Sequence, residues 1–184
     1  MASSSTSRAN TAFISYNEND AGPLSRLLAN KLESQESIQT FESEKDSHVG
    51  HNLVRSLCRA VAQRDFFLAM VTVRYCFPIL VKKTVDGKEV QSYEQSITDI
   101  ELNAAITERK PIILIHRIRW DEWPERSSFS GVLGNQSSIY WMHGEPVSDI
   151  AWQIGRAVRN WTHPFNYVVS LPQQLPVVTE VPQD

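Results

Sequence analysis

The sequence predicts a single parallel α/β domain, a sheet covered by helices on both faces. Three observations point there. The runs "DFFLAMVTV" (65–73) and "KPIILIH" (110–116) are almost continuously apolar, the composition of strands buried on both sides rather than on one. Strand-like and helix-like segments alternate along most of the chain, which favours parallel strands joined by crossover helices. At 184 residues and 41% hydrophobic content, the chain can bury one real core without disulfides or metals.

The elements follow in order. "TAFISY" (11–16) is rich in β-formers, and "DAGPLSRLLANKLESQ" spaces Leu24, Leu27, Leu28 and Leu32 helically behind Asp20 and Pro23, read as start signals. "SIQTF" is a short second strand. After the glycine-ended loop "ESEKDSHVG", Leu53, Leu57, Ala60 and Val61 mark a second amphipathic helix. "DFFLAMVTV" is then the central strand. The segment 76–95 carries Pro78 and a turn signal at Asp86 and Gly87, and reads as an insertion or hairpin.

A third helix begins at Ser92 or Ser96, since "SYEQ" and "SITD" both resemble capping boxes. Ile97, Ile100, Ala104 and Ala105 share one arc of it, and Glu101 falls inside that arc. A carboxylate aimed at a core requires an explanation. From the residues alone it is either functional, or a surface residue, or a partner of Arg109. "KPIILIH" and the shorter "SIYWM" are the last strands, and "VSDIAWQIGRAVRNW" is a closing helix with Ile150, Ile154, Ala157, Val158 and Trp161 inward.

In an open parallel sheet the ligand site lies at the carboxyl ends of the strands, where strand order reverses. Those ends are 17–20, 42–50, 74–75 and 116–123, and Glu101 sits on a helix able to face the same crevice.

Composition narrows the partners. A formal charge of −3 and a pI near 6.0 provide no basic field for nucleic acid or an anionic membrane. Two cysteines without a CxxC fit a reducing, cytoplasmic setting. No stretch is long and apolar enough for a membrane span, and the Ser/Thr-rich start (1–10), expected to be flexible, lacks the core of a secretory signal. Residues 163–184 form a proline-containing tail holding four of the nine prolines.

Several chemistries are absent. Neither GxGxxG after the first strand nor GxxxxGK[ST] occurs, which argues against a dinucleotide-binding turn and a P-loop. A phosphoacceptor receiver would place an aspartate where this chain has "MVTVRY". His48 and His51 lack the further ligands a metal needs, so no metal is expected.

Four stretches nevertheless resemble the TIR (Toll/interleukin-1 receptor) domain family. "AFISYNEND" is similar to its first box. "TFESEKDSHVG" is similar to its second, with the strand phenylalanine, a charged BB loop and a glycine nine residues on. "IELNAAITERKPIILI" resembles the segment of catalytic TIR domains where a glutamate opens a helix leading into the next strand, and "RWDEWPE" the tryptophan-containing loop after it. The resemblance implies a flavodoxin-like fold with a five-stranded parallel sheet over residues 11–162. Two positions depart from the family pattern: Ile97 stands where a tryptophan is common and Ser43 where an aspartate is. The segment 76–95 is also longer than usual.

The resemblance further implies an NAD+ nucleosidase or ADP-ribosyl cyclase, with Glu101 as the catalytic glutamate and NAD+ as substrate rather than cofactor. Tyr16, Trp120 and Trp123, at predicted strand ends, would flank the nicotinamide ring, with Asn17, Glu18 and His48 also contacting substrate. Asp46, His48 and Gly50 of the BB loop would contact neighbouring TIR domains in a self-assembly. A stand-alone prokaryotic protein of antiphage defence, signalling to a separate effector, fits this picture. Two rivals remain: a TIR adaptor acting by homotypic assembly alone, and a nucleoside deoxyribosyltransferase-like enzyme.

Overall fold

A computed structural model describes residues 10–42, 51–85, 87–123, 133 and 136–161. In chain order the elements are β1 (Thr11–Tyr16), α1 (Glu18–Glu36), β2 (Gln39–Glu42), α2 (His51–Ala62), β3 (Phe66–Val71), β4 (Ile79–Val85), β5 (Lys88–Glu94), α3 (Ile97–Thr107), β6 (Ile112–His116), a 3-10 turn (Trp120–Glu122), β7 (Ser137–Tyr140) and α4 (Val147–Arg159).

Five strands form one parallel sheet in the order β2-β1-β3-β6-β7, so the expected α/β architecture is the one observed. Strand alternation divides the core in two. Ile14, Leu68 and Ile113 meet Leu28 and Leu32 of α1 and Ile150 and Ile154 of α4. On the opposite face Phe13, Phe67 and Leu114 meet Val61 of α2 and Leu102 and Ala105 of α3. Phe13 and Phe67 stack with ring centroids 5.7 Å apart and planes within 4°. Leu28 and Leu32 are fully buried, and truncating either to alanine costs about 2–5 kcal/mol.

Three expectations change in detail. The first helix begins at Glu18, ahead of Asp20, because the Asn17 side chain caps it by accepting from the Asn19 amide at 3.1 Å. Pro23 therefore lies inside the helix rather than at its start, and on its exposed face. The buried arc of α3 is rotated from the predicted one: Thr98, Glu101, Leu102 and Ala105 are buried and Ile97 is exposed. Of the inward residues predicted for the last helix, Ala157 and Trp161 are only half-buried.

Segment 76–95 resolves as a hairpin. β4 and β5 pair antiparallel in a sheet of their own, from Ile79 opposite Glu94 to Val85 opposite Lys88. Gly87 turns the chain at φ +78°, a conformation glycine adopts at little cost, while Asp86 lies outside the described residues. Among the described side chains of the two strands only Val81 and Ser92 are half-buried; all others are exposed.

Candidate active site

β1 and β3 are neighbours, but the chain leaves β1 toward β2 on one side and leaves β3 toward β6 on the other. Strand order reverses between them, and a cleft is expected at their carboxyl ends. One is there. A cleft of about 330 Å³ is lined by Tyr16, Asn17, Glu18 and Asn19 after β1, by Arg74, Phe77 and Ile79 after β3, and by Ser96, Ile97 and Thr98 at the start of α3.

Glu101 is not part of this lining but is tied to it through Ser15, the neighbour of Tyr16, and follows Thr98 by about one helical turn. It is 1% exposed, and its Oε2 accepts a hydrogen bond of 2.6 Å from the Ser15 hydroxyl. Ser15 in turn accepts from the Tyr75 hydroxyl at 2.9 Å. The three side chains come from β1, the turn after β3 and α3, and join the strand ends into one buried polar network. Its position follows from the helix: Ser96 caps α3 by accepting from the Asp99 amide at 3.2 Å, which fixes the register, and the fifth helical residue then faces β1. Burial pushes the Tyr75 phenol well above its ordinary range, assisted by the thiol of Cys76 and opposed by the Ser15 hydroxyl, so Tyr75 is a permanent donor. Arg109 is exposed at the far end of the helix, and Glu101 is neither a surface residue nor placed by that arginine.

The turn after β3 is held residue by residue. The Arg74 amide donates to Asp20 Oδ2 at 3.1 Å and its Nε lies 3.4 Å from Asp20 Oδ1. The Tyr75 carbonyl accepts from Trp123 Nε1 at 2.9 Å. The Cys76 amide donates to Thr98 Oγ1 at 2.9 Å, and Cys76 takes φ 60°, a left-handed turn unusual for a residue with a side chain. Three consecutive residues are thus tied to α1, to the 3-10 turn and to α3.

Tyr16 at the end of β1 and Asn17 and Glu18 at the start of α1 line the cleft. The Tyr16 hydroxyl donates to Glu42 Oε2 at 2.6 Å, and burial together with that carboxylate raises its pKa, leaving the phenol protonated and the ring fixed. Glu18 Oε1 lies 3.3 Å from Arg26. Trp120 and Trp123 do not line the cleft. Trp123 is 1% exposed and packs edge-on against Trp120 at 5.5 Å, beneath the Tyr75 turn. Trp120 is half-buried against His116, whose imidazole stacks on Tyr140 at 4.9 Å. His116 is fully buried with Nε2 3.3 Å from Ser138 Oγ, and burial lowers its pKa to about 4. Asp46, His48 and Gly50 lie outside the described residues.

Among the described residues no group of three or more His, Cys, Asp or Glu is arranged to hold a metal ion, and no helix is long and apolar enough to cross a membrane.

Sequence reasoning placed Arg74 and Tyr75 at a strand end bordering the cleft without giving them a role, and it missed Ser15, Phe77 and Ile79. Ser15 carried a signal: it is the lone hydroxyl within the apolar body of "TAFISY", and a polar residue in a doubly covered strand needs a partner. The others fall in the segment with the weakest periodicity.

Residues 12–143 match the family described as TIR domain. No curated protein matches the sequence. Among solved structures, the CMP N-glycosidase BcmB of Clostridium botulinum superposes with a TM-score of 0.47 at 14% identity, covering 79% of this chain and 98% of that one.

Proposed function

The chain belongs to the TIR domain family, and from that premise we propose that it cleaves the bond between nicotinamide and ribose in NAD+, with Glu101 as the catalytic carboxylate. The observation that supports this reading is a buried carboxylate bonded to Ser15, the neighbour of Tyr16 in the cleft where β1 and β3 part. Helical side chains lean toward the helix N-terminus, so Glu101 leans toward Thr98, which lines the cleft floor.

The chemistry suits one carboxylate. The ribose C1′–N bond breaks with its electron pair going to the ring nitrogen, so the pyridinium leaves as neutral nicotinamide and needs no proton. Positive charge develops at C1′ as in glycoside hydrolysis, and a carboxylate in a site shielded from water stabilises it. Water then attacks C1′ and loses a proton to give ADP-ribose. Attack by a ribose hydroxyl or an adenine nitrogen of the same molecule, again with loss of a proton, gives a cyclic ADP-ribose instead. Glu101 must exchange its Ser15 hydrogen bond for the substrate, and Ser15 and Tyr75 therefore act as positioning residues. Trp120 and Trp123 act through packing under the Tyr75 turn, and Tyr16, Asn17 and Glu18 act by direct contact with substrate.

The wider reading is a cytoplasmic, prokaryotic antiphage signalling protein that self-associates through TIR–TIR contacts around Asp46, His48 and Gly50 and passes its product to a separate effector. Self-association makes specific activity rise with protein concentration.

One observation favours the alternative, homotypic assembly without chemistry: Glu101 is 1% exposed and absent from the cleft lining. Nicotinamide release by concentrated wild-type protein, beside Glu101→Gln, separates the two. Release by wild type and not by the folded variant supports the enzyme; a folded wild type that releases none in any assembly state supports the scaffold.

A further inference from the structure

The hairpin base brings apolar side chains to the cleft that its sequence pattern does not require for folding. Phe77 is 47% exposed, Ile79 49% and Ile97 46%, and all three line the same cleft opposite Tyr16 and Asn17. Half-exposed apolar side chains are ordinary when scattered. These converge from two elements onto one concave surface, and ligand sites are built that way, from an apolar lining with a few placed polar groups.

The wall is also pre-organised. Arg74, Tyr75 and Cys76 are each pinned to a different element, and the left-handed Cys76 is the last residue before Phe77. Holding a non-glycine residue at positive φ is unfavourable, a strain that persists where surrounding contacts impose it and that clusters at ligand sites. The Cys76 amide bond to Thr98 couples the hairpin base to the first turn of α3, so Phe77 and Ile97 keep a fixed relation.

Resting on the NAD+-cleaving reading, we infer that Phe77, Ile79 and Ile97 form the surface on which a planar ring of the dinucleotide lies, making the hairpin base the specificity-determining part of the cleft. Phe77 offers a ring face for stacking. Ile79 and Ile97 extend the apolar area beside it. The rest of the hairpin plays no part in this contact: Leu80 is 50% exposed but pairs with Tyr93 on the face opposite to Ile79.

The test combines kinetics with equilibrium binding of NAD+ by calorimetry, the latter also in a Glu101→Gln background where turnover is blocked. Phe77→Ala raises KM and Kd about tenfold, in line with the loss of one stacking contact, and lowers kcat far less. Ile79→Ala has a smaller effect in the same direction. Phe77→Trp restores wild-type Kd to within about twofold, and Leu80→Ala matches wild type. These side chains are half-exposed, so circular dichroism of each variant reports the native fold. Wild-type Kd and KM in both Phe77→Ala and Ile79→Ala, with wild type still releasing nicotinamide, overturns the inference and leaves the enzymatic reading standing. A wild type that binds NAD+ without cleaving it removes the enzymatic reading, and the Kd series alone then decides the wall. A wild type that neither binds nor cleaves NAD+ overturns both.

Discussion

The cleft has two neighbours of opposite character. Adjoining it, Ser15, Glu101 and Tyr75 are almost fully buried and joined by hydrogen bonds of 2.6 and 2.9 Å. Beside it, the β4–β5 hairpin exposes nearly every side chain and pairs only with itself in the sheet topology. Two strands alone are marginally stable in water. The hairpin is aided by the Lys83–Glu94 and Lys82–Glu89 ion pairs on its surface, and such exposed pairs contribute at most about 1 kcal/mol. The difference teaches a division of labour. The buried network holds a carboxyl group at a fixed place, as the proposed chemistry requires. The hairpin can vary in length and composition without touching the core, and only its pinned base reaches the cleft.

The largest expected effect tests the buried half. Glu101→Gln preserves shape and an acceptor for Ser15 but removes the charge, and it lowers nicotinamide release at least ~100-fold, the scale of losing a preorganised electrostatic contact. A variant that keeps more than a tenth of wild-type activity breaks the assignment of chemistry to this network.

Next in size, Ser15→Ala strands the Tyr75 hydroxyl in a buried site and takes the Ser15 donor from Glu101, with an expected loss of about 2–3 kcal/mol in urea denaturation. Tyr75→Phe removes only the outer donor, and about 1 kcal/mol is expected. If Ser15→Ala is neutral, the network does not hold the strand ends together.

The third prediction concerns His116, at the same buried end of the sheet. Folded, it takes a proton near pH 4; unfolded, near 6.5. Between those values the unfolded chain binds more protons, so stability falls as pH drops through that window, by about 2 kcal/mol from pH 7 to pH 5. His116→Gln should flatten this part of the profile by the same amount. An unchanged pH slope in the variant would show that the imidazole is solvated.

The smallest effect belongs to the hairpin. Ile79 and Glu94 are directly paired, so replacing Leu80–Tyr93 by Asn-Gly closes the chain as a two-residue turn. Stability should change by less than about 0.5 kcal/mol, as for surface positions away from the core. A loss of several kcal/mol would mean that the hairpin supports the domain and would erase the contrast drawn between the two regions.

Much of the fold was legible because burial leaves periodic traces. "DFFLAMVTV" and "KPIILIH" read as doubly covered strands and became β3 and β6, side by side at the sheet centre. Ser92 and Ser96 both read as caps, and Ser96 is the one that caps α3, Ser92 falling in β5. Pro23 misled because a solvated face of a helix tolerates what its interior does not. Ile97 misled because a regular helical wheel has no knowledge of which neighbour a helix meets: packing against α2 and β1 rotated the buried arc of α3 by one position.

The sequence by itself determined the alternation of elements, the order in which apolar runs enter the core, the family, and the presence of a carboxylate on an otherwise apolar helix face. These depend on local spacing and composition, which a linear chain carries in full. Only the tertiary structure decided which side chains meet that carboxylate. Ser15 and Glu101 are 86 residues apart and Tyr75 lies 60 from Ser15, and no local pattern encodes pairings over such distances. The same holds for the cleft wall, where Phe77 and Ile97 come together because three hydrogen bonds fix the turn between β3 and the hairpin against three separate elements. Contact across the chain is set by how the layers pack, and packing is a property of the whole fold.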